Sequence, residues 1–233
     1  MRVTRVVDLS VPVGPDTQVY PGDPRARLTV HSTIAEHGFN LLHVEMGSQT
    51  GTHVDAPYHF EEDAPRIDEV PLSTFVGPGV VADVSALGAR EPIGWPALAP
   101  YADALRPGVI LLLRTGWSRH FGTDRYFDHP YLDADACRRV LDLGVRVIGI
   151  DAINLDETPP PTPPHPESPP SQTHPGVGYP VHHLIASAGG VIVENLRELA
   201  SVDFANPLVS VLPIALEHAD GAPVRAVAMR VEA

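Results

Sequence analysis

The sequence contains no lysine, because all sixteen residues in its lysine and arginine count are arginine. Schiff-base, pyridoxal-phosphate and P-loop chemistries, each of which needs a lysine, are therefore excluded. A single cysteine, Cys137, excludes an intrachain disulfide, and its helical pattern is typical of a small buried side chain. The net charge of -13 and the scattered arginines argue against a nucleic-acid partner, because binding to phosphates needs clustered cations.

Long apolar runs are also missing. No stretch reaches the roughly eighteen consecutive apolar residues that a membrane-spanning helix needs, and the N-terminal residues alternate like a strand rather than a signal peptide. We therefore expect no membrane partner and a cytoplasmic location. The 233 residues, of which 43% are hydrophobic, are enough for an ordinary core, so we expect a single domain over residues 1–233.

A strand, helix and strand pattern lies in the middle of the chain. GVILLLRTGW is typical of a buried strand, DADACRRVLDLGV of a helix that begins near Asp133 or Asp135 and ends at Gly144, and VRVIGIDAINLDE of a second strand. Such a unit favours parallel pairing, so the predicted fold class is α/β with a β-rich N-terminal part. Near the C-terminus, HADGAP predicts the turn of a β-hairpin.

A proline-rich segment interrupts the second half of the chain at about residues 157–180, where ten prolines fall between Pro159 and Pro180. Proline lacks an amide hydrogen and disrupts helix interiors and central strands, which favours extended backbone. We interpret the segment as a surface insertion, with a functional lid as the alternative. It does not mark a domain boundary, because residues of related chemistry flank it on both sides.

The stretch GSQTGTHVDAPYHF follows an apolar, strand-like run at residues 41–46 and is predicted to lie at the end of that strand. Alternation along a strand places Gln49, His53 and Asp55 on one face, and His59 follows closely. Imidazole nitrogens and a carboxylate are ligands of zinc, manganese or iron. The alternative is a set of hydrogen-bonded structural side chains.

Two further residues of ligand type, His182 and Glu194, lie far along the chain. Glu194 ends the apolar pattern GGVIVEN, where an unpaired carboxylate would be costly to bury. The presence of His182 nearby favours a shared cation for both. The sequence therefore indicates one site to which distant parts of the chain contribute.

The pattern QTGTHVDAPYH resembles the signature His-x-Gly-Thr-His-x-Asp-x-Pro-x-His of the cyclase family of metal-dependent hydrolases, which includes bacterial kynurenine formamidases and isatin hydrolases. Four further segments resemble family segments in the same order: DLSVPVGPDTQVYPGDP, LLLRTGW, VIGIDAINLDE and PVHHLIASAGGVIVENL. Only the proline-rich segment has no recognised counterpart. The resemblance implies a swivelling β/β/α fold and a homodimer or homotetramer.

The resemblance also implies roles for individual residues. His53, Asp55, His182 and Glu194 are expected to bind a divalent metal, Zn or Mn, and His59 is expected to be the catalytic general base or proton shuttle. A bound metal lowers the pKa of water from about 16 toward 7, so metal-activated water would attack the carbonyl group of the substrate. The expected reaction is hydrolysis of a small amide, formamide or lactam.

Gln49 departs from the signature, which has histidine at that position. A neutral amide oxygen is a weaker ligand for zinc than imidazole is. Three arrangements follow: one metal held by the other four ligands, two metals with Gln49 as a weak or indirect partner, or no metal. We favour one ion over two, because the four strongest ligands are present.

The substrate is expected to be a small molecule, and Tyr20, Tyr58 and Phe60 are candidates for an aromatic binding pocket. An arylformamidase-like hydrolase is the leading hypothesis, with an N-formyl aromatic compound as the first substrate to test. One alternative is a natural-product cyclase or dehydratase, of polyketide type, on the same scaffold. Another is a catalytically silent binding protein.

Overall fold

A computed structural model describes residues 2–159 and 178–232 of the chain. The strands in these ranges are β1 (Arg2–Asp8), β2 (Arg27–Ser32), β3 (Leu41–Glu45), β4 (His53–Asp55), β5 (Val76–Asp83), β6 (Pro92–Ile93), β7 (Ile110–Arg114), β8 (Tyr131–Leu132), β9 (Val147–Ile150), β10 (Val191–Glu194), β11 (Leu208–Ser210), β12 (Gly221–Pro223) and β13 (Val227–Glu232). The α-helices are α1 (Ile34–His37), α2 (Trp95–Leu98), α3 (Ala134–Asp142) and α4 (Pro180–Ser187).

One large mixed sheet organises the molecule, with the strand order β1-β13-β11-β5-β7-β9-β10-β4-β12. Its centre, β5 to β10, is parallel, and the strands on both sides are antiparallel to their neighbours. Helix α3 connects the parallel strands β7 and β9, as the pattern in the middle of the sequence predicts. The predicted α/β fold class is thereby confirmed.

Alternation along β7 divides the core between the two faces of the sheet. Leu111 and Leu113 pack in the cluster that includes buried residues of α3 and α4. Ile110 and Leu112 belong to a second cluster, which includes Phe75. The four apolar side chains of β7 are all buried, which explains why this strand is a continuous apolar run in the sequence.

Helix α3 begins where the sequence predicts. The carboxylate of Asp133 accepts hydrogen bonds from the backbone N–H groups of Asp135 and Ala136, both at 3.0 Å. These bonds satisfy amide groups that have no partner within the helix. Gly144, two residues after the helix, adopts a φ of 88°, a left-handed conformation that glycine tolerates well. Cys137 is buried on the inner face of this helix, as expected.

Residues 27–45, which we call the arm, form a hairpin of β2 and β3 that is a separate two-stranded sheet. Leu28 pairs with Val44 and Val30 with Leu42, so these four apolar side chains share one face. Val30 is 70% exposed, Leu42 48% and Val44 46%. The arm therefore presents an apolar face that the described part of this chain leaves uncovered.

The predicted strand at residues 41–46 is present as β3, but the expected continuation into the histidine stretch is wrong. β3 belongs to the arm, whereas His53–Asp55 forms its own strand, β4, between β10 and β12 of the large sheet. Turns and bends cover residues 48–52 and separate the two strands. The histidine stretch thus lies within the sheet rather than at the end of the preceding strand.

The predicted C-terminal hairpin is present. Leu208 pairs with Met229, and a bridge between Pro213 and Val224 continues the same register toward the turn. The proline-rich insertion predicted at about 157–180 falls mainly on residues 160–177, which lie outside the described ranges. Within those ranges, the helices are all too short or too polar to cross a bilayer.

Candidate metal centre

Strand β4 carries half of the candidate site and β10 carries part of the other half. His53 and Asp55 lie two residues apart and point to the same face, and Glu194 is paired directly with His53 across the two strands. His182 comes from the first turn of α4, after Pro180 begins that helix. The sheet register and one helix thus bring together four residues that are distant in sequence.

The four side chains face one another at short distances. The Nε2 atom of His53 lies 3.4 Å from Asp55 Oδ1 and 3.6 Å from Glu194 Oε2. The Nε2 atom of His182 lies 3.6 Å from Asp55 Oδ2 and 3.3 Å from Glu194 Oε1. Ligand atoms of His53, Asp55 and Glu194 all lie within 4.8 Å of one another. All four residues are buried, with between 3% and 6% of their surface exposed.

Hydrogen bonds on the far side of each imidazole fix its orientation. His53 donates from Nδ1 to the backbone oxygen of Gly51 at 2.8 Å, and His182 donates from Nδ1 to Asp156 Oδ2 at 2.7 Å. Asp156 also accepts the backbone N–H groups of Val181 and His182 at 3.0 Å, which anchors the start of α4. Both Nε2 atoms are consequently free to bind a cation, a common arrangement around metal-binding histidines.

The electrostatics of this group favour a positive ion. Burial would lower the pKa of His53, but the contacts with Asp55 and Glu194 raise it to about 10. Burial would raise the pKa of Glu194, but its contacts with His182 and His53 hold it below its usual range. Without a metal, the two carboxylates thus favour protonated imidazoles. As metal ligands both imidazoles are neutral, and the two buried carboxylates then leave a charge of about -2, which a divalent cation would neutralise.

Polar atoms without partners also indicate a missing ligand. Asp55 Oδ1, Gln49 Oε1 and Asn154 Nδ2 are buried and have no hydrogen-bond partner among the described residues. All three side chains line the same cavity as the four candidate ligands. A donor set of two nitrogens and two carboxylates suits zinc or manganese, so the residues fit a divalent metal of the predicted kind.

His59 lies at the end of a short 3-10 turn, Pro57–His59, directly after β4. Its Nδ1 atom donates to Asp220 Oδ2 at 2.9 Å. Gln49 donates from Nε2 to the same oxygen at 2.9 Å, and Ser48 donates to Asp220 Oδ1 at 2.8 Å. Gln49 thus directs its amide nitrogen to Asp220, while its oxygen has no hydrogen-bond partner in the described ranges.

A cavity of about 850 Å³ adjoins the metal-binding group and includes His59 in its wall. Tyr20 and Phe60, two of the predicted substrate-binding residues, line it together with Tyr179. The hydroxyl groups of Tyr20 and Tyr179 are 3.1 Å apart. Tyr58 does not line the cavity, because its ring lies under the guanidinium group of Arg66, 4.2 Å from the ring centroid.

The sequence argument missed two acidic residues of this site. Asp156 belongs to the run INLDE, where nothing distinguishes it from a surface acid after a strand. Asp220 precedes Gly221 in the predicted turn HADGAP, and Asp-Gly is an ordinary turn pair. The sequence offers no local signal for either role, because the partners of these acids, His182 and His59, lie next to them only in the folded chain.

Comparisons with known proteins agree on one family. A sequence model of the Cyclase family matches residues 7–157. The kynurenine formamidase of Bacillus mycoides strain KBAB4 is 32% identical over 229 residues, which span 97% of this chain and 98% of that enzyme. More than half of this chain thus matches the family, and a full-length relative aligns along almost all of it.

Solved structures extend the similarity to the fold. Isatin hydrolase A from Labrenzia aggregata, bound to benzyl benzoate, is 25% identical with a TM-score of 0.83, covering 98% of this chain and 94% of its own. A protein described as a potential metal-dependent hydrolase with cyclase activity is 26% identical with a TM-score of 0.73, covering 98% and 99%. The overall fold is therefore shared with these structures.

Proposed function

The chain belongs to the Cyclase family, and on that premise we propose that it is a metal-dependent hydrolase of the C–N bond in a small amide, formamide or lactam. The observation that carries the proposal is the buried group of His53, Asp55, His182 and Glu194, whose ligand atoms face one another. Support also comes from the similarity to a kynurenine formamidase and to isatin hydrolase A.

We propose that these four residues hold one divalent ion, Zn or Mn. An ion bound there would supply Lewis-acid activation of water and of the carbonyl oxygen. Gln49 supports one ion over two, because its amide nitrogen is used in the bond to Asp220. The variant Gln49→His tests this arrangement: we expect tighter metal retention on dialysis, and retention no tighter than in the wild type would contradict it.

His59 is the residue we assign to proton transfer. Its Nδ1 atom is bound to Asp220, which leaves Nε2 for the reacting groups in the cavity. Hydrolysis adds the oxygen of water to the carbonyl carbon, breaks the C–N bond and delivers a proton to the departing nitrogen. A histidine that accepts the proton of water and returns it to nitrogen completes this balance.

The aromatic part of the cavity favours an aryl substrate. Tyr20, Phe60 and Tyr179 line it, and the Phe60 ring centroid lies 4.6 Å from that of His182. An aromatic ring held against these side chains would place an attached formamide or fused lactam beside the candidate ligands. N-formylkynurenine and isatin are therefore the first substrates to test.

The test is release of formate from N-formylkynurenine, or ring opening of isatin, by protein loaded with zinc or manganese. We expect turnover with the metal, none after chelation, and recovery on adding the ion back. If protein of verified metal content hydrolyses neither these compounds nor simple arylformamides, the proposed function is wrong.

We also propose that the chain forms a homodimer or homotetramer in which the arm is covered by another copy. An isolated two-stranded hairpin is marginally stable in water, and an exposed apolar face of this kind is usually an interaction surface. Val30, Leu42 and Val44 provide that face. A small-molecule substrate, the lack of a nucleic-acid partner and a cytoplasmic location stay predictions.

A further inference from the structure

Asp220 is held more firmly than a turn residue requires. Its carboxylate accepts hydrogen bonds from three side chains, those of His59, Gln49 and Ser48, at 2.8 to 2.9 Å. Its backbone oxygen accepts the N–H group of Ala56, which ties the turn to the end of β4. Both carboxylate oxygens are thus fixed, and the plane of the group is defined.

These contacts also determine the charge of Asp220. Partial burial would raise its pKa, but the hydrogen bonds from His59, Gln49 and Ser48 lower it to about 2. The side chain is therefore an anion at neutral pH. An anion can only accept a hydrogen bond, so the Nδ1 atom of His59 must carry the hydrogen.

The consequence for His59 is a single tautomer. With the hydrogen on Nδ1, the lone pair of neutral imidazole is on Nε2, the atom that a general base needs. Burial would lower the pKa of His59, but the bond to Asp220 and the charges of Asp55 and Asp220 outweigh it and raise the pKa. Asp220 therefore both orients the ring and stabilises its protonated form.

Gln49 has a defined part in this arrangement. Its amide nitrogen donates to the same oxygen, Asp220 Oδ2, as His59 does. This second hydrogen bond helps to fix the position of that oxygen. The lack of a side chain at Gly221 makes room for it, because a Cβ atom there would lie 2.6 Å from Gln49 Nε2 and 2.5 Å from the backbone oxygen of Val54. The glutamine and the glycine form one packing unit around Asp220.

We propose that Asp220 is a positioning residue for His59, and that Gln49 and Ser48 position Asp220 in turn. Gln49, which departs from the family signature, then acts through Asp220 on His59 instead of binding the metal. This inference rests on the proposed function for its effect on catalysis. Its structural part, the fixed tautomer of His59, stands independently of any substrate.

The kinetic test uses the full-length, metal-loaded protein and an arylformamide. We expect Asp220→Asn to lower kcat by about 10²-fold while KM and metal content change by less than about threefold. Gln49→Ala should lower kcat by about threefold to tenfold, because one of three bonds to Asp220 is lost. Glu61→Gln is the matched control, since it removes the exposed contact between Glu61 and His183 and should change kcat by less than about twofold.

The second test needs neither metal nor turnover. In metal-free protein with 15N-labelled histidine, we expect the neutral His59 ring to show a protonated Nδ1 and a bare Nε2, and this preference should weaken in Asp220→Asn. An unchanged tautomer together with an unchanged kcat overturns the proposal. If Asp220→Asn fails to fold, Gln49→Ala and Ser48→Ala decide it by the same spectra. Absence of hydrolysis by the wild type would refute the proposed function but leave the spectra as the test of the positioning role.

Discussion

The group of candidate metal ligands and the arm both depart from the usual distribution of polar and apolar side chains: the first is polar and buried, and the second is apolar and exposed. His53, Asp55 and Glu194 are charged or polar residues in the interior, whereas Val30 and Leu42 are apolar residues at the surface. Each departure costs free energy unless a further component is present. We propose a cation as that component for the interior group and another copy of the chain for the arm.

The comparison teaches how each missing component can be identified. In the interior group, ligand atoms converge to within a few ångströms, so geometry and donor type are those that could hold a metal ion. In the arm, the four paired side chains specify only a flat apolar surface. Directional contacts thus define a ligand closely, while nonpolar area defines only a class of partner.

The largest expected effect comes from removing the charge of Glu194. Glu194→Gln should lower hydrolysis by about 10³-fold or more and abolish stoichiometric metal binding, because an amide is a poor substitute for a buried carboxylate ligand. Metal analysis after dialysis and an arylformamide assay measure both. Asp151→Asn is the matched control: Asp151 is also buried at a strand end but is bound to Thr115 and Gly116, so metal content should be retained. Equal metal loss in both variants would contradict the assignment.

The next effect concerns the support of one ligand. Asp156→Asn weakens the acceptor of the His182 Nδ1 hydrogen and should lower metal affinity by about 10–100-fold. Competition with a chromophoric chelator measures the affinity. The adjacent surface residue provides the control: among the residues that the structure describes, Glu157 forms an ion pair with Arg90, and Glu157→Gln should leave affinity unchanged. If both variants bind metal like the wild type, Asp156 has no role in orienting His182.

A smaller effect is expected in the pH dependence. The carboxylates of Asp220 and Asp55 raise the pKa of His59, while burial and His182 lower it. Removing the charge in Asp220→Asn should lower the pKa of His59, so the acidic limb of the kcat/KM profile should move to lower pH. A shift to higher pH, or none in the residual activity, would show that His59 does not set this limb.

The smallest effect on activity is expected at the arm, where a substitution should change the mass of the assembly rather than catalysis. Leu42→Glu puts a charge on the apolar face and should at least halve the particle mass measured by sedimentation equilibrium, without loss of bound metal. His43→Glu places the same charge on the opposite face of β3, since His43 pairs with Thr29, and should leave the mass unchanged. A wild-type protein that sediments as a monomer would refute the proposed assembly.

The sequence allowed the metal-binding residues to be chosen because their signals are local. The two-residue spacing of His53 and Asp55 predicts a shared face, and a carboxylate at the end of an apolar strand, Glu194, needs a partner. The sequence alone does not predict where these side chains meet, because that depends on the sheet register, which pairs Glu194 with His53. The structure brings all four side chains together, and their role as ligands stays a prediction.

Asp156 and Asp220 could not be identified in this way, because their importance comes from side chains that are close only in the folded protein. The fold class and the unit of β7, α3 and β9 were predicted correctly, since periodicity and capping are properties of short segments. The placement of β3 was wrong because an apolar run predicts a strand but not which sheet it joins.

The position of β4 has a consequence for how the protein is made. Residue His53 leaves the ribosome long before its neighbours on either side, β10 with Glu194 and β12 with Gly221. At typical elongation rates of roughly 5–20 residues per second, that interval is on the order of ten seconds. During this time the nascent chain holds an incomplete set of ligands. Capture of the proposed ion would therefore be a late event of biogenesis, completed only after His182 and Glu194 are made and β10 pairs with β4.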